Sequence, residues 1–280
     1  MQNVKLRMGL CPIPLYNISS ILHFDFSFMI STGVGEFLKK QREIFDREYS
    51  NTSDESSGLF RFVRPYVNHL IADFVSKTLK DKSNVLDVGC GDGFILKHIS
   101  NGISSATGID LSQVAIVQAR KLLGGDSRIR LHQSLFEDFS SDEQFDAILM
   151  LDVFEHFMDA DFVLRKCRYL LRDNGILIIS TPNRKRLTNV IKRLAKVVRG
   201  DATGIGLIES HFREYSLFEI KDVLNRYGFS IKRVEANTIL DLKYMSEHLL
   251  NKGQFVRMMW SAGRVFPTLA SNYNIVAEKR

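Results

Sequence analysis

Cysteine is scarce in this chain: three among 280 residues, at positions 11, 90 and 167. An odd number without C-x-x-C spacing excludes a disulfide framework and a cysteine-built zinc site. A reducing, cytosolic setting suits such usage. No apolar run reaches the roughly 20 residues that a membrane-spanning helix needs. Residues 8–30 are apolar-rich but carry Pro12, Pro14, His23 and Asp25, a poor pattern for a secretory signal. Met29 offers an alternative start, which would make residues 1–28 an upstream stretch. No internal repeat or low-complexity segment stands out. Charge of either sign is unexceptional, with 38 Lys and Arg against 32 Asp and Glu, net +6. That mild excess is compatible with anionic lipid, nucleic acid or an acidic metabolite.

The informative stretch is Val85-Leu-Asp-Val-Gly-Cys-Gly-Asp-Gly93. An apolar run ends at Asp87 and then breaks into glycines at 89, 91 and 93. This reads as a buried strand, a tight turn and a helix opening at Phe94. In an open α/β sheet, ligands dock at such a turn. The spacing is G-x-G-x-G rather than the G-x-G-x-x-G of a pyrophosphate site, and no G-K-[ST] follows, which excludes a phosphate-binding P-loop. Asp87 would repel phosphate and suit a cationic or amine-bearing ligand. A second strand, Ala106-Thr-Gly-Ile-Asp110, ends in another acid placed to accept ribose hydroxyls.

These residues resemble the class I S-adenosylmethionine-dependent methyltransferases from about residue 60 onward. VLDVGCGDG is similar to their first motif, ATGIDLS to their second, FDAILMLDVFEHFMD (145–159) to their fourth and GILIISTPNR (175–184) to their fifth strand. The motif style is closest to ubiquinone-pathway O-methyltransferases. The resemblance implies that Asp87, Gly89, Cys90, Gly91 and Gly93 hold the aminoacyl end of S-adenosyl-L-methionine. It further implies Asp110 and Leu111 at the ribose, Phe136 and Glu137 beside the adenine, and Leu151 and Asp152 near the methionine part. The competing reading makes Asp87 a helix cap and the glycines an ordinary strand-to-helix turn.

The expected fold is α/β, a doubly wound, Rossmann-like, mostly parallel seven-stranded sheet. Strands are predicted at 84–89, 106–110, 129–132, 145–151, 176–180, 229–235 and 273–278, the last antiparallel by the resemblance. Helices are predicted over 65–79, 112–123 and 161–171, and from the capping box Ser216-Leu-Phe-Glu219 to Gly228. Residues 1–58 form an N-terminal extension, partly mobile, and 59–280 the domain. Insertions at 184–210 and 237–270 lie where loops shape the acceptor pocket. Within the second, an apolar set from Leu240 to Trp260 is either plain core or an adaptable pocket wall.

Asp152, Glu155 and His156 form D-x-x-E-H just past strand four. If helical, Asp152 and His156 share one face. His156 is a candidate general base for a hydroxyl acceptor, or else a packed helix terminus. The element is similar to the E-x-x-E-H of ubiquinone-pathway and small-RNA methyltransferases. In the latter it binds a divalent metal with a later histidine. Asp stands here in place of the first Glu, so no metal is assigned. His211, opening His211-Phe-Arg-Glu-Tyr, is the distant partner, catalytic or a loop anchor. Asn183 and Arg184 are expected at the pocket mouth, with Arg184 either holding an anionic group or solvated.

Residues 184–200 carry seven basic and no acidic side chains on an amphipathic helix. Two readings stand: a lid over the domain's own core, or a peripheral contact with anionic lipid. The expected activity is methyl transfer to a small-molecule, lipid or glycan acceptor, with oxygen as the site. The expected location is cytoplasmic, peripheral at a membrane surface if the second reading holds. No nucleic acid partner is expected, because aromatic interleaving is sparse on the basic helix. An RNA methyltransferase and an inactive cofactor-binding scaffold are the alternatives.

Overall fold

The computed structural model describes residues 26–50, 58–79, 84–198, 211–238 and 252–280. Two compact units divide between Lys40 and Gln41. The first contributes the opening of helix α1 (Phe26–Ser50). The second holds everything from Gln41 onward, including the last ten residues of α1. The sequence places the domain start at 59, because residues 36–58 are polar. Yet Gln41 is buried and residues 41–50 touch the site described below.

Seven strands form one sheet: β1 (Asn84–Val88), β2 (Ser105–Asp110), β3 (Ile129–Gln133), β4 (Phe145–Leu151), β5 (Leu171–Pro182), β6 (Phe229–Ala236) and β7 (Asn272–Lys279). Their order is β3-β2-β1-β4-β5-β7-β6. β1 to β5 run parallel, and β7 lies antiparallel between β5 and β6. The direction in which strands are added reverses between β1 and β4, which is where an open sheet leaves a crevice at its carboxyl edge.

Alternation along the strands divides the core into two faces. Leu86, Val88, Leu177 and Ile179 pack on one side, with α5 (Ala160–Leu170) and α7 (Leu217–Arg226). Val85, Ile176 and Ile178 pack on the other, with α2 (Gly58–Thr78), α3 (Phe94–Ile99), α4 (Gln113–Leu123) and Trp260 of α8 (Lys252–Val265). Ser112 caps α4 through Ala115 N, and Ser216 and Glu219 complete the expected capping box of α7.

Several elements depart from expectation. Helix α2 begins at Gly58, seven residues before Pro65, so the proline lies inside the helix and does not open it. β5 starts at Leu171, because α5 ends directly into extended backbone. Asn174, at φ 61, makes a kink within the strand instead of closing the helix. In the second insertion, Leu240 to Leu250 lie outside the described residues. Of the described part, Val256 and Trp260 are core. In the first insertion, the basic segment forms α6 (Leu187–Val198).

Candidate active site

The site is built at the carboxyl ends of β1, β2, β4 and β5. Asp87 is 2% exposed near the end of β1, and its Oδ2 finds no hydrogen-bond partner among the described residues. Burial, with Asp110 nearby, pushes its carboxyl from an ordinary 3.8 up to about 8. An apolar strand end thus carries an acid that only a cationic or donor-rich partner can satisfy.

The turn after β1 takes its shape from positive φ at Gly89 (71°), Gly91 (54°) and Gly93 (81°). At two of these the lack of a side chain also decides packing. A Cβ on Gly89 would overlap Val153, and one on Gly91 would overlap the Tyr49 hydroxyl. Four of the turn's amides are committed internally. Those of Gly89 and Cys90 donate to Ile109 O (2.8 and 3.0 Å), and Gly93 N to Cys90 O (3.0 Å). Gly91 N donates to Asp110 Oδ2 (2.9 Å). Cys90 contributes backbone and a buried side chain, and burial raises its thiol pKa further.

Asp110 Oδ1 accepts Ser112 N (2.8 Å), so both of its oxygens brace the loops. Each keeps a second lone pair. Burial raises its pKa, partly offset by these amides. Leu111 follows, half-buried. Ser134 N bonds Asp110 O (2.9 Å) and starts the 134–137 loop beside it. Phe136 is buried in the core below Lys166, whose ammonium is 5.2 Å from the ring centre. Glu137 Oε2 is buried without a partner among the described residues, and burial raises that carboxyl.

Past β4 the expected α-helical pairing of Asp152 with His156 does not form. Asp152 adopts φ 55, and Phe154–His156 is a single 3₁₀ turn. The Asp152 carboxylate turns to Ser180 Oγ (2.8 Å) and Asn272 Nδ2 (3.0 Å). Leu151 is half-buried just before it. Glu155 is 1% exposed, and Thr181 Oγ1 donates to it at 3.2 Å. Burial and the neighbouring Asp152 hold its carboxyl well above the usual range. The backbone amides of Phe212 and Arg213 donate to Glu155 O, which carries His211 to the site. The rings of His156 and His211 meet edge-on at 5.1 Å. Glu155, His156 and His211 each offer an atom within 4.8 Å of the others, a set that could hold a metal ion.

The site also contains residues the sequence reading missed. Glu214 is 3% exposed between Arg186 Nη1 (2.7 Å) and His211 Nδ1 (3.1 Å). Burial would raise its pKa, but the bonds from His211 and Arg186 prevail and bring it to about 2. The end of α1 reaches the same edge. Asp46 accepts a hydrogen bond from Ser112 Oγ, Tyr49 O accepts Gln118 Nε2 (2.8 Å), and Phe45 lies 5.3 Å from His156. Two residues expected at the pocket mouth are engaged with the protein itself. Asn183 is fully buried, its amide donating to Thr268 O and Ala270 O. Arg184 pairs with Glu219 of α7 at 2.8 Å.

A methyltransferase-domain family profile matches residues 59–234. The chain belongs to that family. Among similar proteins, the ubiquinone biosynthesis O-methyltransferase of Bradyrhizobium diazoefficiens is 30% identical over 145 residues, 51% of this chain and 55% of that one. Its counterpart in Rickettsia canadensis is 27% identical over 208 residues, 70% and 85% of the two chains. The chain spans a little over half the length of the first of these curated relatives. A magnesium protoporphyrin IX methyltransferase from Synechocystis, solved with bound S-adenosylhomocysteine, superposes with a TM-score of 0.61 at 14% identity, covering 86% of this chain and 99% of that one. It shares the seven-stranded, mostly parallel fold. Among the described residues, no helix is long and apolar enough to cross a membrane.

Proposed function

We propose that this methyltransferase moves a methyl group from S-adenosylmethionine to an oxygen of a small-molecule, lipid or glycan acceptor. The observation that carries the reading is the buried Asp87 carboxyl, whose Oδ2 has no partner among the described residues, beside a turn whose Gly89, Cys90, Gly91 and Gly93 amides are already bonded. That pair suits an ammonium-bearing, phosphate-free nucleoside. Bound there, the cofactor supplies a methyl sulfonium. Asp87 holds its amino group, with Gly89, Cys90, Gly91 and Gly93 giving the backbone its close approach. Asp110 and Leu111 take the ribose. Glu137 offers an acceptor at the adenine edge, with Phe136 beneath. Leu151 and Asp152 flank the methionine chain. One of the two histidines, His156 or His211, takes the acceptor's single hydroxyl proton as its oxygen attacks, and the rest of the rate comes from in-line positioning.

Incubating the protein with isotope-labelled cofactor and cell extract should yield a labelled small molecule, identified by mass spectrometry. Acceptors of the ubiquinone-biosynthesis type are the first to test singly, given the names of the similar proteins. Labelled RNA would favour the RNA-methyltransferase alternative. Cofactor binding without any labelled product would favour the scaffold.

A finer element of the proposal concerns α6. Its three-and-four apolar spacing and its charged residues, all basic, suit anionic lipid. Ile191 and Arg193 are both exposed on it. Vesicles with about one-third anionic lipid should float the protein at low salt. Replacing Lys192, Arg193 and Lys196 by glutamate should end this. Failure of the wild type to float leaves α6 as a lid.

A further inference from the structure

We infer that the end of α1 is a wall of the cofactor site, and that its Asp46 is a second carboxylate for the ribose, sharing the two hydroxyls with Asp110. The inference rests on the S-adenosylmethionine reading above. Residues 41–50 belong to the same compact unit as the sheet. Gln41, Phe45 and Tyr49 recur every four residues, so they share one face of the helix, and Asp46 follows beside them. That face crosses the carboxyl edge of the sheet. Past β4, Gln41 Nε2 donates to His156 O (3.4 Å), and the Phe45 ring meets His156 edge-on. Past β1, the Tyr49 hydroxyl fills the space that a Cβ on Gly91 would need. Past β2, Gln118 Nε2 donates to Tyr49 O, and Ser112 Oγ donates to Asp46.

Ser112 ties the two acids together. Its hydroxyl donates to Asp46 and its amide to Asp110 Oδ1. Burial raises the Asp110 pKa, and the nearby charge of Asp46 adds to it. Two carboxylates so placed repel each other. A neutral ligand with two hydrogens to give relieves both at once. A vicinal diol donates one O–H to each acid, whose oxygens keep lone pairs beyond those already used. Among the described residues, the set with metal-ligand spacing lies elsewhere, at Glu155, His156 and His211, so a diol suits this pair better than an ion. The strand beside β2 supplies the other end of the ligand site. Asp87 of β1 is 2% exposed, with Oδ2 unpartnered among the described residues. The ammonium goes to Asp87 and the ribose to Asp110 and Asp46.

The test is calorimetry of the full chain with S-adenosylhomocysteine and with its 2′-deoxy and 3′-deoxy analogues, in wild type and Asp46→Ala. A hydrogen bond to a charged group corresponds to about ten- to a hundred-fold in Kd. Wild type should lose that factor with the analogue that lacks the hydroxyl held by Asp46. Asp46→Ala should lose it already with the complete ligand, and nothing further with that analogue. With the other analogue the variant should still weaken, through Asp110. Equal weakening of all three ligands, or of none, means that Asp46 braces Ser112 and touches no ligand, and overturns the inference. Should Asp46→Ala not fold, Asp46→Asn keeps the side chain's size and an oxygen for Ser112 Oγ. The same ligand-specific pattern is then expected at smaller magnitude, and uniform weakening or none again overturns the inference. Heat from the complete ligand without that pattern sinks this inference alone, whereas no heat from it with the wild type sinks the underlying reading as well.

Discussion

Asp87→Asn is expected to lose cofactor affinity by about a hundred-fold while making the ligand-free protein more stable above pH 8. The affinity loss follows from removing a charge-assisted contact, worth up to about 3 kcal/mol when buried. The stability gain follows from linkage. The folded-state pKa is raised, from 3.8 to about 8. Between those values the folded protein binds the extra proton, so its stability falls as pH climbs through the window and levels off above it. Asparagine removes that slope. A gain of about 2 kcal/mol would raise Tm by roughly 5 °C at pH 8.5. Calorimetry should also show proton release on cofactor binding below pH 8, in wild type only. An unchanged Tm together with intact binding would mean that Asp87 is a turn residue and no more.

The second large effect is on the Arg186–Glu214 pair. Arg186→Met keeps much of the apolar stem but leaves a buried carboxylate without its main counter-charge. Breaking such a pair costs about 3–5 kcal/mol, which corresponds to a Tm drop of roughly 10 °C. The pH dependence has a definite sign. Glu214 sits at about 2 in the fold against an ordinary 4.5, so its contribution is present above 4.5 and fades as pH falls toward 2. Without Arg186 that depression is weakened. Urea denaturation should therefore show the widest gap between variant and wild type near pH 7, narrowing by pH 4. A gap that does not vary with pH would point to lost packing alone.

Both experiments bear on what the sequence can and cannot display. The glycine turn was legible because positive φ at 89, 91 and 93 leaves a local mark, and Ser216 with Glu219 was legible because a capping box spans four residues. The antiparallel sense of β7 came from the resemblance, and its place between β5 and β6 was not legible, since periodicity says nothing about which edge a strand joins. Asp152 misled because D-x-x-E-H fits a helix. A left-handed residue and a 3₁₀ turn leave no mark in the spacing of its side chains. Asn183 misled because an amide looks like a surface group until carbonyls 85 and 87 residues away claim it. Glu214 was within sight, three residues from His211, but its meaning depends on Arg186, 28 residues earlier. The polar end of α1 reads as solvated, and only the fold shows Tyr49 against Gly91 of the turn and Asp46 at Ser112.

The committed amides of that turn bear on competition inside a cell. Energy carriers and redox dinucleotides share adenosine with the proposed donor and outnumber most sulfonium metabolites. Each would bring its anion to a bend with no spare donors among its glycine amides and a carboxyl beneath. Screening by charge would then precede any test of shape, and a crowded adenylate pool need not slow the enzyme.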